Sequence, residues 1–307
     1  MPAPQDHCWL CNRFGTLTKE HIPPESAFND FPLLLLKVDE RSMQDTGTMD
    51  WSPSQKFGRG MYVRSVCARC NNRCGSKYGG AYVDLVRRVA ERIGDVQEFH
   101  TVSILGVKRP LAILKQVLFQ FVSTNGPGFV RANDWVAPFI KTTTNQSIPP
   151  EIGIYLFASN IRGARRTGSS SHIELSRSTQ FNVVAEFSFW PLGTVISFGH
   201  FSHPGLTPIH RWLQYPFDYK GAVDLHLRVN PIHSAYPVDF RSKSQVESGY
   251  PGETDIKLPS DEDGARMAKE TARRSGTDDK AFIFSGHPST FRRMAEKGIL
   301  KPRSNRR

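Results

Sequence analysis

The segment Cys67-Ala68-Arg69-Cys70-Asn71-Asn72 places two cysteines three positions apart, directly before two asparagines. Cys8 and Cys11 form a second pair with the same C-x2-C spacing near the N-terminus. Each pair can place two thiolates on one tight turn, and two pairs complete the tetrahedral four-sulfur shell that structural zinc prefers. The sequence therefore predicts one Zn2+ bound by these four cysteines. The alternative is two unrelated pairs of buried thiols.

The spacing between the two pairs is unusual for a small zinc domain. The 55 residues between Cys11 and Cys67 exceed the roughly 15 to 20 of a compact zinc ribbon, so the ion would brace a larger insertion. Cys74 is the fifth cysteine and lies one helical turn beyond Cys70. We interpret it as a small buried helix residue, with a substitute metal ligand as the alternative.

Length and composition limit the class of protein. The 307 residues suggest about two domains, and 38% hydrophobic residues suffice for ordinary cores. The longest purely aliphatic run, Leu33 to Leu36, is far below the roughly 20 apolar residues of a membrane span. An odd number of cysteines and an N-terminus without an apolar signal segment predict a cytoplasmic protein.

Residues beside the cysteine pairs carry a different chemistry. Glu20-His21-Ile22-Pro23 follows the first pair, and Asn71 follows Cys70 directly. If four sulfurs hold the two segments together, a carboxylate, an amide oxygen and an imidazole converge. Carboxylate and amide oxygens suit Mg2+ or Mn2+, and a neutral imidazole can accept a proton from water. This combination favours phosphodiester hydrolysis.

The order of these motifs resembles the zinc-braced branch of the HNH (ββα-metal) endonucleases, including the phage junction resolvases called endonuclease VII. The resemblance covers about residues 8 to 85. It implies that His21 is the general base, that Glu20 and Asn71 bind a catalytic Mg2+ or Mn2+, and that the four cysteines bind structural zinc. It also implies that His21 ends a strand and that the ββα helix starts near Cys67 to Asn72.

The chain departs from the family pattern at two points. The second histidine of the motif is missing, so Asn71 must serve in its place. The family's middle asparagine, which orients the base, also has no obvious counterpart, and Asn72, Gln55 or a backbone carbonyl are the candidates for that role. The segment 30–66 is long, and a lid, a DNA-contacting loop and an insertion all remain open for it.

Positive charge is concentrated outside the motif region. The formal net charge of +11 divides into +2 for residues 1–95, +4 for 96–240 and +5 for 241–307. Such an excess favours a polyanion partner through counterion release. Arg162, Arg165 and Arg166 precede a Gly-Ser run and predict a flexible basic loop that contacts nucleic acid, with a solvated loop as the equal alternative.

Residues 96–240 predict a second α+β domain with a mainly antiparallel sheet, which would select the target or a partner. Leu111 to Val122 is apolar with helical spacing and ends before Asn125-Gly126-Pro127-Gly128. Stretches at 153–157, 181–198 and 223–229 have strand patterns, and Pro191 divides the middle one into a hairpin. We interpret His200, His203 and His210 as ordinary core or surface residues.

Residues 241–307 are polar and basic, which predicts a partly disordered tail with short helices at 265–274 and 290–299. The sequence as a whole therefore predicts a metal-dependent HNH endonuclease acting on DNA, with RNA as a further possible target. By analogy alone, such fusions resemble prokaryotic antiviral defence or mobile-element effectors. The alternative is a zinc-braced module that binds nucleic acid or protein without cutting.

Overall fold

The computed structural model describes residues 3–39, 50–94, 100–159, 163–174, 180–199, 205–229, 282–286 and 301–302. In these residues helices combine with sheets whose strand pairs are mainly antiparallel. The predicted α+β class is confirmed.

The N-terminal sheet has three strands in the order β1-β2-β5. These are β1 (Gln5–His7), β2 (Phe14–His21) and β5 (Tyr62–Cys67), and both pairings are antiparallel. An extra residue in β5 breaks the register between Thr18 and Lys19 of β2. The two cysteine pairs lie at the same end of this sheet, because Cys8 follows β1 and Cys67 ends β5.

A long interrupted helix follows β5 directly. It consists of α1 (Ala68–Cys74), a π-helical turn (Gly75–Gly79) and α2 (Gly80–Ile93). The buried residues of α2 recur every three or four positions, as in any helix that packs one face on a core; they are Ala81, Tyr82, Leu85, Val86, Val89 and Ile93. The helix start near Cys67 is as the sequence predicts, but the π turn is not.

The long segment 30–66 contains a hairpin. Its strands β3 (Leu33–Asp39) and β4 (Asp50–Phe57) pair with each other and belong to a second, nine-stranded sheet. The segment therefore connects the N-terminal sheet to the large sheet, and β5 returns the chain to the cysteine pairs.

The large sheet has the strand order β11-β7-β10-β9-β8-β13-β3-β4-β14. Its remaining strands are β7 (Ile152–Ala158), β8 (Gly163–Glu174), β9 (Gln180–Phe189), β10 (Leu192–Phe198), β11 (Thr207–Pro208), β13 (Phe282–Gly286) and β14 (Lys301–Pro302). The predicted hairpin at 181–198 is β9 and β10, joined at Trp190 and Pro191. A separate ribbon pairs β6 (Thr101–Val107) with β12 (Val223–Arg228).

The predicted basic loop is wrong for Arg165 and Arg166, which lie within β8. They pair across the sheet with Ser188 and Phe187 of β9 and with residues of β13. Pairing on both sides of a strand overrides the weak strand preference of a Gly-Ser-rich sequence. Arg162 lies outside the described residues.

The centre of the molecule is α3 (Pro110–Asn125), of which every residue is buried. It ends before Gly126, as the sequence predicts, and is followed by α4 (Pro127–Ala132), α5 (Val136–Lys141) and a 3-10 turn at His210–Gln214. Lys115 of α3 donates hydrogen bonds to the carbonyl oxygens of Phe139, Thr142 and Asn145 at 2.6, 3.1 and 2.6 Å. This buried ammonium holds the end of α5 and the following turn against the central helix.

Contacts also join the N-terminal sheet and its helix to the centre. Ser65 Oγ of β5 lies 2.6 Å from Ser123 Oγ of α3, and the Tyr78 hydroxyl donates to the carbonyl oxygen of Ile140 at 2.6 Å. One hydrophobic core includes residues from Cys8 to Val229.

Some predicted features lie outside the described residues: the helices at 265–274 and 290–299, His200, His203 and most of the basic tail. Among the described helices, none combines the length and apolar character needed to span a bilayer.

Candidate metal centre and the adjoining polar site

The four predicted cysteines come together. Their Sγ atoms all lie within 4.8 Å of one another, and Cys11 Sγ is 3.9 Å from Cys67 Sγ. A tetrahedral ion with metal–sulfur bonds of about 2.3 Å requires sulfurs about 3.8 Å apart. A disulfide would instead need about 2 Å, and all four cysteines are free thiols. The prediction of a four-cysteine group able to hold a metal ion is confirmed.

The local backbone shapes this group. Asn12 has a positive φ of 57°, and its N–H donates to the carbonyl oxygen of Cys8 at 2.7 Å, which closes a tight turn between Cys8 and Arg13. A hydrogen bond from Cys70, followed by backbone hydrogen bonds, lowers the pKa of Cys8 to about 4 in spite of burial. Sulfur surrounded by donors in this way is suited to the thiolate form that binds metals.

Cys74 is outside the four-sulfur group. It is buried, and burial raises its pKa to about 12, with a further contribution from the nearby Glu20. Of the two interpretations, the buried helix residue is the one that the structure supports.

Strand β2 presents Glu20 and Thr18 on the same face, because side chains alternate along a strand. Thr18 Oγ1 accepts a hydrogen bond from Asn71 of α1 at 3.1 Å, so this face packs against α1. Glu20 is only 5% exposed, and burial raises the pKa of its carboxyl to about 8. No described residue donates a hydrogen bond or forms an ion pair with this carboxylate. A buried carboxyl without a partner is energetically unfavourable unless a ligand compensates it.

Asn71 lies against the same strand. Its Nδ2 donates to Thr18 Oγ1 at 3.1 Å and to the carbonyl oxygen of Lys19 at 3.0 Å. Both amide hydrogens are therefore engaged, and Oδ1 remains as the acceptor. The contact with Lys19 places Asn71 beside the residue that precedes Glu20.

His21 is the last residue of β2 and lies on the opposite strand face from Glu20. Its ring packs against Tyr62 at 5.8 Å between centroids, and its Nδ1 is buried without a hydrogen-bond partner among the described residues. Burial lowers the pKa of His21. Among the neighbouring groups, Glu25 and the Asn29 backbone raise this pKa, whereas Lys19 and Arg59 lower it. The imidazole is neutral at pH 7.

Asn29 is the residue that sequence reasoning missed. It is fully buried, and its Nδ2 donates to the carbonyl oxygens of Pro23 and Met61 at 2.7 and 2.8 Å, while its Oδ1 accepts from the N–H of Met61 at 2.6 Å. Gly60, with φ +63°, passes so close that a Cβ there would overlap the backbone carbonyl oxygen of Asn29. These contacts fix the loop that follows His21.

The position of Asn29 also bears on how His21 is oriented. Three groups were candidates for orienting the His21 ring. Asn72 is exposed, and the Gln55 side chain lies outside the described ones. For the third candidate, a backbone carbonyl, the backbone of Asn29 lies beside the ring. The only sequence signal would have been an asparagine eight positions after His21 in a turn rich in proline.

Comparison with known proteins gave no match to a protein family, to a curated protein or to a solved structure. Among the described residues, the four cysteines are the one group of three or more Cys, His, Asp or Glu side chains that could hold an ion. His210 instead packs on Tyr155, with a ring separation of 5.5 Å.

Proposed function

We propose that the protein is a metal-dependent endonuclease of the HNH type that hydrolyses DNA phosphodiester bonds. The observation that carries the proposal is the largely buried carboxyl of Glu20, which has no hydrogen-bond or ion-pair partner among the described residues, near Asn71, whose Oδ1 has none there either. A fold that needed only packing would place an apolar side chain here, because burying a lone carboxyl costs stability.

The ion in the four-cysteine group is proposed to be Zn2+. Four thiolates at tetrahedral spacing form the closed shell of a structural zinc site, with no position left for substrate. Its role is to hold β2 and α1 together, since Cys8 and Cys11 precede β2 while Cys67 and Cys70 flank the start of α1.

A second ion, Mg2+ or Mn2+, would be held by the Glu20 carboxylate and Asn71 Oδ1. Two protein oxygens leave coordination positions for water and for phosphate, as is usual for Mg2+ in phosphoryl-transfer sites. When bound, such an ion neutralises charge that develops on the phosphate and the leaving oxygen.

His21 supplies the base in this proposal. Its burial favours the neutral ring, and a neutral imidazole can accept a proton from the attacking water. The Asn29 network holds the loop behind it and so limits the movement of the ring.

The test is nicking of supercoiled plasmid, with linear duplex, single-stranded DNA and RNA tested in parallel. We expect cleavage that requires added Mg2+ or Mn2+ and falls by about 10²- to 10⁴-fold in His21→Ala, the usual contribution of a general base. The exposed Glu91→Gln on α2 is the control and should cut normally. Equal cleavage by His21→Ala and wild type would refute the mechanism, and a zinc-loaded protein that binds but never cuts would support the non-catalytic alternative.

A further inference from the structure

Within the motif region one stretch of chain carries positive charge without acidic residues. Residues 51–83 contain six Lys or Arg and no Asp or Glu. Three of the six, Arg69, Arg73 and Lys77, are exposed and recur every fourth residue along α1 and the π turn. Side chains four apart lie on one face of a helix, so these three form a single basic row.

The basic row has no acidic partner among the described residues. Ion pairs join Arg59 to Glu25 and Arg88 to Asp84, and neither includes a member of the row. Arg109 extends the row at its far end, because its Nη2 donates to the carbonyl oxygen of Lys77 at 2.7 Å and its guanidinium packs on Phe217. Unpaired arginines on one helix face attract a polyanion.

The surface beside the row is open and polar. Exposed Asn72 and Ser76 lie next to it, and exposed Gly75 lies one helical turn after Asn71 on a different face of the helix from the row. A Cβ added at Gly75 or Gly80 would meet nothing within 4 Å, so packing within the chain does not explain these glycines. Glycine in a helix lowers its stability, and one use for it is close approach by a ligand.

The dimensions match a nucleic-acid backbone. From Arg69 to Lys77 is about 12 Å along a helix axis at 1.5 Å per residue. That length corresponds to three or four phosphates of one strand at about 3.4 Å each. The same helix carries Asn71, whose side chain faces β2 rather than the row.

We propose that the basic row binds the phosphodiester backbone of the nucleic acid. The inference rests on the proposed function for its substrate class. Binding through the row is independent of base sequence, because phosphate contacts carry no sequence information.

The test measures binding rather than cleavage. A short fluorescent DNA duplex of mixed sequence is titrated with zinc-loaded protein, without added Mg2+ or Mn2+, at several salt concentrations between about 50 and 200 mM. The test variant combines Arg69→Gln, Arg73→Gln and Lys77→Gln. The control removes the same charge from exposed residues of other surfaces, with Arg92→Gln, Arg131→Gln and Lys141→Gln.

We expect the test variant to bind at least tenfold more weakly and to lower the slope of log K against log salt by about 2 to 3, near 0.9 for each lost phosphate contact. The control variant should keep most of the wild-type affinity and most of the wild-type salt slope. An unchanged slope in the test variant, an equal loss in the control, or no binding by wild type overturns the inference. Nicking activity with an unchanged slope overturns the basic row alone, whereas row-dependent binding without nicking overturns only the proposed function.

Discussion

Two buried polar side chains on either side of His21 show opposite arrangements. Every polar atom of the Asn29 side chain has a partner, and the residue ties Pro23 to Met61. Glu20 is almost as buried but has no described hydrogen-bond or ion-pair partner. Burial alone therefore does not separate the two residues, whereas the use of their hydrogen-bonding capacity does.

The four cysteines differ from both Asn29 and Glu20. Their sulfurs surround a volume suited to one ion and leave no sulfur pointing elsewhere. We propose that Asn29 stabilises the fold by itself, that the cysteines do so with an ion, and that Glu20 binds an ion without being needed by the fold. These three cases predict three different responses to mutation.

The largest effect should follow from Cys67→Ser. Structural zinc contributes roughly 10 kcal/mol or more of binding free energy that is coupled to folding, which is comparable to the whole stability of a domain. We expect the variant to lose zinc and to be insoluble or unfolded, as measured by metal content and circular dichroism. Cys74→Ser is the matched control and should keep its zinc. A Cys67→Ser protein with one zinc and a wild-type melting curve would contradict this.

A smaller loss should follow from Asn29→Ala. The change removes three hydrogen bonds, although the Met61 carbonyl oxygen still accepts one from the Ile22 N–H, and it should lower the free energy of unfolding by about 2 to 3 kcal/mol. Urea denaturation measures this value. Asn72→Ala removes an exposed amide and should stay within about 0.5 kcal/mol of wild type. If the two variants unfold alike, Asn29 is not the structural residue described here.

Glu20→Leu should have the smallest effect on stability and the opposite sign. Replacing a buried carboxyl that has no partner among the described residues by an apolar side chain removes a desolvation cost, so the free energy of unfolding should rise by about 1 kcal/mol in the absence of added Mg2+ or Mn2+. The same urea experiment measures it, and cleavage by this variant should be lost. A destabilisation as large as that of Asn29→Ala would mean that Glu20 has a structural partner.

How far the sequence alone could lead differs between these residues. The cysteine pairs were predictable because metal ligands on a turn require a fixed local spacing. The helix at 110–125 and the hairpin at 180–198 were predictable because their periodicity and turn residues are local too. Asn29 was not, since its role depends on Met61 and Gly60, which reach it only through the fold of the long hairpin segment.

Two other features were not predicted from the sequence, because they too depend on the fold. Arg165 and Arg166 lie in a strand because β9 and β13 pair with it, and β13 is distant in sequence from the Gly-Ser run that predicted a loop. The basic row was also overlooked, because a charge count over residues 1–95 averages it with the acidic residues of the first 50. Placing α1 on the surface separates Arg69, Arg73 and Lys77 from those acids.

The central claim is that Glu20 is kept for a divalent cation, and Mn2+ binding tests it most directly. Mn2+ is titrated into zinc-loaded protein and followed by its electron paramagnetic resonance signal, with Glu91→Gln as a control on the exposed face of α2. We predict one Mn2+ site in wild type and in the control, and at least about tenfold weaker binding in Glu20→Gln, since even residues that only support a ligand cost that much. Equal Mn2+ affinity in Glu20→Gln and wild type would contradict the claim.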